Sequence, residues 1–240
     1  MSQFDLKRIC QQFVRRPIRG LIHIGACTGE ERDVYQDLGI TPVFWVEGNP
    51  ATYAVLAENV RAYDGHHAIC AMIGADIQAD RIVDFYITSN MAPGLEPDKR
   101  HASSSLLPLA RHLDYYPHIQ VTDTIQVAVT TLDALLAAYP DMRQCNMMVL
   151  DVQGAEMLAL RGASACLTQC DYLCIEVNVV ELYQGCVLLP ELSAYLEQHG
   201  FIPMHTQLTS CQWGDAFYRR QGMTDVGHRQ DSIPPVAAMA

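Results

Sequence analysis

Leu21-Ile22-His23-Ile24-Gly25-Ala26-Cys27-Thr28-Gly29-Glu30-Glu31-Arg32-Asp33-Val34-Tyr35 is the stretch that decides the fold. A short apolar run ends in two glycines and passes into a polar, helix-compatible segment, which reads as strand, tight turn and helix. A second apolar run, Val43-Phe44-Trp45-Val46, ends in Glu47. In a β-α-β unit an acid at the tip of the second strand lies beside the first turn and can accept both hydroxyls of a ribose. A nucleoside-containing ligand is therefore the first expectation.

The chemistry of the turn separates two such ligands. A dinucleotide needs its diphosphate at the helix N-terminus, held by free backbone N–H groups, and glycine recurs there as GxGxxG. Here the spacing is Gly25-x-x-x-Gly29 with Cys27 between, and Glu30, Glu31 and Asp33 crowd the first helical turn. Those acids suit the helix dipole and repel a diphosphate. S-adenosylmethionine carries no phosphate and has a positive sulfonium, so the turn suits it better.

The 240 residues sit near the upper end of what one domain holds, and one domain is expected. Against 27 Asp and Glu stand 16 Lys and Arg, a formal charge of −11. No long basic run offsets it, which argues against nucleic acid and against an acidic membrane as partners. No apolar run approaches the ~20 residues of a membrane span, so a soluble protein is expected. The 9 cysteines are scattered, odd in number and preceded by no secretory leader, which argues for reduced thiols and a cytoplasmic setting.

Residues 1–19 mix Phe4, Leu6, Ile9, Phe13 and Val14 with basic side chains, the pattern of an amphipathic helix ending near Pro17 that braces the domain. Pro50 opens a helix through Val60. His67 to Ile73 reads as a third strand, on which His66 and His67 point to opposite faces and so share no metal. Phe85-Tyr86-Ile87 and Ile125-Gln126-Val127-Ala128-Val129 read as two strands flanking a long polar loop, and a loop of that length is more often functional than idle. At its centre stands His101-Ala102-Ser103-Ser104-Ser105-Leu106-Leu107. The three hydroxyls suit a cofactor carboxylate or a polyol; equally, Ser103 or Ser104 suits the cap of a helix starting near Leu106.

Thr131-Leu132-Asp133-Ala134-Leu135-Leu136 opens a helix, and Met147-Met148-Val149-Leu150-Asp151-Val152 is a buried strand. Ligands of open α/β sheets lie beyond the carboxyl ends of the strands, which puts Asp151 at the site. Its plainer reading is the N-cap of the helix that follows. Glu47 and Glu176 close two further strands near the same edge, and that favours function. Cys166, Cys170 and Cys174 recur every four residues, but the first two fall at a helix end and the third in a strand, so no metal site is expected. Leu189 to His199 reads as a helix stopped by Gly200, Phe201 to His205 as a strand, Trp213 to Tyr218 as a turn and last strand, and residues 221–240 as a flexible tail.

Eight tags then occur in order: His23-Ile24-Gly25-Ala26, Val46-Glu47-Gly48-Asn49-Pro50, Ser103-Ser104-Ser105-Leu106-Leu107, Thr131-Leu132-Asp133, Leu150-Asp151-Val152-Gln153-Gly154-Ala155-Glu156, Glu176-Val177-Asn178, Glu181-Leu182-Tyr183 and Trp213-Gly214-Asp215-Ala216. The series closely resembles the FkbM family of methyltransferases over roughly residues 20–220. The resemblance implies a class I, Rossmann-like α/β domain over 20–220, behind an N-terminal helical extension over 1–19. Its sheet would be seven-stranded and mostly parallel, with the last strand antiparallel and helices on both faces. It also implies S-adenosylmethionine as cofactor, typically used to methylate a hydroxyl of a sugar or polyketide-like small molecule. Carried over, the turn with His23, Gly25, Ala26, Cys27 and Gly29 holds the methionine portion and Glu47 the ribose. Ala71 and Met72 lie near the adenine and Asp151 near the methyl group, while Gly48, Asn49, Ser104 and Ser105 complete the expected cofactor contacts. Many members carry Asp where His23 stands, and Cys27 is not the common residue at its place.

Methyl transfer to a hydroxyl is an in-line displacement that needs donor and acceptor aligned at ~3 Å and a proton removed. Asp151 is the expected catalytic group, orienting the acceptor or taking its proton, with Glu176 second. Two other classes compete. An NAD-type nucleotide-binding oxidoreductase is opposed by the missing GxGxxG and the acidic first helical turn; a catalytically silent cofactor-binding module keeps the fold alone. The identity of the acceptor and the oligomeric state, a homo-oligomer included, are not legible.

Overall fold

The computed structural model describes residues 5–75, 81–93 and 101–223. Helix α1 (Leu6–Phe13) is capped by Asp5, whose side chain accepts from Arg8 N at 3.1 Å, and it buries Leu6, Ile9 and Cys10. It stops short of the expected end near Pro17. There the Tyr172 hydroxyl accepts from Arg15 N and Arg16 N, and Asn146 bonds Arg19 N and Pro17 O, which draws the chain out along the sheet.

The opening stretch folds as strand β1 (Leu21–Ile24), a turn and helix α2 (Arg32–Asp37). Next come β2 (Val43–Glu47), α3 (Pro50–Val60) and β3 (His66–Cys70). Asn49 caps α3 by accepting from Ala51 N, with Pro50 in the first turn where no N–H is needed. The second half of the same sheet holds β7 (Met147–Leu150), β8 (Tyr172–Asn178), β9 (Phe201–Leu208) and β10 (Trp213–Arg220). The seven strands lie in the order β3-β2-β1-β7-β8-β10-β9, and only β10 runs against its neighbours. After β3 the chain crosses to the far side of β1, so the mouth between β1 and β7 is the switch point at which such sheets bind ligands.

Period-two alternation splits the apolar runs between two layers. Ile22, Ile24, Phe44, Val46, Met148 and Leu150 face α5 (Leu132–Ala138), α6 (Glu156–Arg161), α7 (Ser164–Gln169) and α8 (Leu189–Gln198). Leu21, Val43, Trp45, Met147 and Tyr172 face α1, α2 and α3. Asp133 accepts from Ala165 N and Cys166 N at 3.0 and 3.1 Å, so the Thr-Leu-Asp tag pins α5 to the start of α7. Cys166 and Cys170 lie in the first layer and Cys174 in the second, so the three sulfurs do not converge. All nine cysteines are free thiols. Among the described residues no helix is long and apolar enough to cross a membrane.

The middle of the chain departs from expectation. The third strand breaks at Ala71: β3 stays in the main sheet, while β4 (Met72–Ile73) pairs with β6 (Ile119–Thr130) in a second, three-stranded sheet completed by β5 (Ile82–Asn90). The two short strands expected here are a long antiparallel pair. No helix starts near Leu106. Ser105 instead bridges to Tyr86 in both directions, with N–O distances of 2.9 and 3.1 Å, which claims the backbone groups a helix would use. A short α4 (His112–Tyr115) follows. The expected tail lies outside the described residues from residue 224 onward, as do residues 94–100 of the long loop.

Candidate functional site

Two turns face each other at the switch point. In the first, Gly25 N and Ala26 N both donate to Val46 O, at 3.0 and 3.1 Å, while Asp151 N donates to Ile24 O at 3.0 Å. Gly25 has φ +76°, and a Cβ there would stand 1.7 Å from the Asp151 carbonyl oxygen. Only glycine permits that left-handed conformation and that approach. Cys27 follows with φ 47°, and its N–H reaches Glu47 Oε2 at 2.9 Å. Asn49 N reaches Glu47 Oε1 at 2.8 Å. Each oxygen of Glu47 thus accepts one backbone bond and keeps lone-pair capacity for a ligand hydroxyl. Burial, with 8% exposure, pushes the Glu47 carboxyl up to about 7 against the pull of these N–H donors.

A cavity of about 630 Å³ opens above this turn. Of the expected contacts, His23, Gly25, Ala26, Cys27, Glu47, Gly48, Asn49, Ala71, Met72, Ser104 and Asp151 reach it, and so does Glu176. Gly29 and Ser105 stand behind the wall. Gly29 leaves room for Leu56, which would lie 2.8 Å from an added Cβ, and Gly48 does the same for Met72 at 2.5 Å. His23 stacks on Trp45 at 5.2 Å, and its Nδ1 lies 3.0 Å from the Tyr35 hydroxyl. Burial pushes its pKa down to about 3, so it is neutral at pH 7 and meets any cofactor as a hydrogen-bonding ring.

The second turn follows β7. Gln153 sits at φ 56° and Gly154 at φ 92°. Gln153 Nε2 donates to Asp151 Oδ1 at 2.6 Å and to Glu176 Oε2 at 2.9 Å, while its Oε1 accepts from the Tyr183 hydroxyl at 2.6 Å. Its carbonyl accepts from Ser105 Oγ at 2.7 Å. Glu156 closes the loop by accepting from Val152 N and Gly154 N at 3.2 and 3.1 Å. Those bonds correct the helix-cap reading of Asp151: α6 begins at Glu156, and the Asp151 carboxylate is engaged by Gln153 instead. Asp151 and Glu176, both bonded to Gln153 Nε2, are close enough to perturb each other's ionisation. Burial raises both pKa values, and Glu176, facing Asp151, Glu156 and Asp215 as well, is raised well above the usual carboxylate range.

Several wall residues had no assigned role in the sequence. Gln153, Tyr183, Trp213 and Asp215 stand inside the quoted tags, so their presence was legible and their contacts were not. His112, Tyr116 and His118 come from the long loop and carry no local signal. Trp213 Nε1 donates to the Tyr116 hydroxyl at 2.9 Å. His112, 4% exposed, packs on Tyr116 and Tyr183; burial pushes its pKa down to about 4, and its Nδ1 has no partner. Ser104 Oγ accepts from Thr88 N at 2.9 Å, which holds the serine segment against β5.

The family model described as Methyltransferase FkbM domain matches residues 23–203. The chain belongs to the FkbM methyltransferase family. As an FkbM domain it is a methyltransferase that uses S-adenosylmethionine, which sets aside the oxidoreductase alternative. No curated protein matches the chain. Among solved structures, a SAM dependent methyltransferase from Aquifex aeolicus is similar at 8% identity over 90% of this chain and 89% of its own, with a TM-score of 0.49. A Streptococcus pneumoniae protein in complex with S-adenosyl-L-methionine is 13% identical over 92% of this chain and 74% of its own, with a TM-score of 0.48.

The residues of this FkbM domain fit that cofactor. Asn49 Nδ2 and Thr52 Oγ1 are buried, line the cavity just past Glu47 and have no partner, which is the complement a ribose and purine require. Six carboxyl groups, those of Glu30, Glu31, Glu47, Asp151, Glu176 and Asp215, reach the wall, and among the described residues no Lys or Arg does. Such a wall attracts a sulfonium and repels a phosphate.

Proposed function

We propose that this enzyme methylates a hydroxyl of a sugar or other small molecule. The observation that carries the reading is the pair of Asp151, half-buried just past the end of β7, and Glu176, buried on the adjacent β8, which one amide holds at the cavity wall. When bound, S-adenosylmethionine supplies a methyl group made electrophilic by its sulfonium. The chain then has to seat a hydroxyl in line with that carbon, exclude water and take up one proton. Asp151, the more exposed member of the pair at the mouth between β1 and β7, is the group that accepts the hydroxyl proton, and Glu176, buried beside it, holds the proton that the pair already carries. Glu47, Asn49 and Thr52 hold the nucleoside end. Trp213 and Tyr116, joined by their hydrogen bond, offer rings with polar edges, and such surfaces suit the mixed apolar and hydroxylated faces of a sugar. The acidic wall and the formal charge of −11 speak against nucleic acid as acceptor. Nine free thiols suit a reducing, cytoplasmic setting.

The test is transfer of a labelled methyl group to a panel of sugars, glycosides and simple alcohols, with release of S-adenosylhomocysteine measured in parallel. Labelled O-methyl product is expected. Label on nitrogen or sulfur only, or none across the panel with the donor bound, overturns the reading. Once an acceptor is in hand, Asp151→Asn is expected to lower turnover by about 10²–10⁴, and to lower donor affinity far less.

A further inference from the structure

Gln153 is a bulky residue in a left-handed conformation, φ 56°, where Gly and Asn are the residues that rest easily. Such a departure persists when the surroundings fix it. Here the fixing bonds converge on one side chain: the Tyr183 hydroxyl on Oε1, and two carboxyl oxygens on the two hydrogens of Nε2. The backbone is held separately, by Ser105 Oγ on the Gln153 carbonyl. An amide can satisfy two carboxyls through one nitrogen only if each still offers an accepting oxygen. Two carboxyls whose oxygens both lie within hydrogen-bond reach of one nitrogen, with Glu176 buried and Asp151 half-buried, oppose each other's ionisation.

We propose that Gln153 is a positioning residue: its amide holds Asp151 and Glu176 so that they share a single proton and Asp151 stands ready as the accepting carboxylate. The inference rests on the proton-accepting role proposed above for Asp151. The amide orientation assigns itself from the network, because a flipped amide would aim its oxygen at both carboxyls. Tyr183, donating to Oε1, opposes that flip. Among the described residues, the groups facing the pair from other elements are Glu31 ahead of α2, Tyr35 on α2, Glu47 on β2, Glu156 on α6, Asp215 on β10, the hydroxyls of Tyr116 and Tyr183, and the thiols of Cys27 and Cys174. Each of these is an acid or a neutral group, and the amino terminus of the chain adds a positive charge that favours the charged form of Asp151. Gln153 supplies the N–H bonds that favour the charged form of Asp151.

The test uses the full chain without an acceptor. Gln153→Asn keeps a residue that tolerates the left-handed conformation but is too short to bridge; Tyr183→Phe leaves the amide in place and frees it to flip. Carboxyl titration is followed by carbon-13 NMR with labelled Asp and Glu, using Asp151→Asn and Glu176→Gln to assign the pair. In Gln153→Asn the Asp151 midpoint is expected to rise by about one to two pH units, the range for losing a charge-assisted hydrogen bond. Tyr183→Phe is expected to move it less, in the same direction, and thermal stability of Gln153→Asn is expected to hold. Superimposable titrations in wild type and Gln153→Asn overturn the inference. Calorimetry with S-adenosylmethionine on the wild type keeps the two readings apart: loss of donor binding there would sink the cofactor site itself, whereas intact binding with unmoved titrations sinks only the role of Gln153.

Discussion

The two turns that meet at the mouth of the sheet are built on opposite plans. The turn after β1 commits its own backbone N–H groups to the end of one neighbouring strand: Gly25 and Ala26 donate to Val46 O, and Cys27, with Asn49, to the Glu47 carboxylate. The turn after β7 is held by side chains, Glu156 from the helix that follows it and Tyr183 and Ser105 from distant segments, each anchoring part of it. The first tolerates one residue type at its tightest point. The second depends on a network, and a network loses its members one at a time. On the function proposed above, the donor side of the site is accordingly the constrained one, and the side that would face the acceptor is tunable.

The sharpest way to break this contrast is Gly25→Ala. An added methyl would stand 1.7 Å from the Asp151 carbonyl oxygen at a positive φ, so both turns must move. A loss of about 2–5 kcal/mol in unfolding free energy by urea titration is expected, combining left-handed strain with overpacking. A loss under 1 kcal/mol would mean that the first turn is as adaptable as the second. Glu47→Ala is expected to weaken S-adenosylmethionine binding by about 1–3 kcal/mol in calorimetry; unchanged affinity would remove Glu47 from the nucleoside end.

Glu156 sharpens the comparison through pH. Burial holds its carboxyl at about 7 in the folded protein, above the ordinary 4.5. The folded state therefore binds this proton more tightly than the unfolded chain, so the stability it brings is complete below about pH 4.5 and lost as pH rises through about 7. Glu31 and Glu47, also pushed up to about 7, act in the same direction. Glu156→Gln keeps an Oε1 for both backbone N–H groups and abolishes the titration. Melting temperature in this variant is expected to fall less steeply between pH 5 and pH 8 than in wild type; parallel curves would show that Glu156 does not titrate there. The smallest effect belongs to a cap remote from both turns. Asp133→Ala should cost about 1 kcal/mol in unfolding free energy through its bonds to α7, with donor affinity unaltered.

The same division decides what the sequence discloses. The turn after β1 is written in glycine spacing and in one acid at a strand tip, signals that survive in a single chain because few residues fit a left-handed bend. The apolar runs place the strands of the main sheet because strands covered by helices on both faces stay apolar along most of their length. Gln153 and Tyr183 are visible as letters in a tag, yet their bond joins segments that only folding brings together. The second sheet is harder still. Its strands alternate well enough to be seen, but Ala71 splits what reads as one strand, and Ser105 takes up a backbone bridge where propensity and spacing offered a helix. His112 and Tyr116 reach the cavity from a loop whose path no periodicity encodes.

The double fastening of the serine segment has a consequence for how such an enzyme changes its taste. Ser105 is bonded to Tyr86 through its backbone and to Gln153 through its hydroxyl, and His101 Nδ1 lies 2.7 Å from Thr88 O, so the return of the chain is clamped on both sides. Side chains can therefore be exchanged at Ala102, Ser103 and Leu106, which line the cavity, without loosening the path of the backbone that carries them. New acceptors are thereby within reach of a few codons, with the donor cradle left as it was.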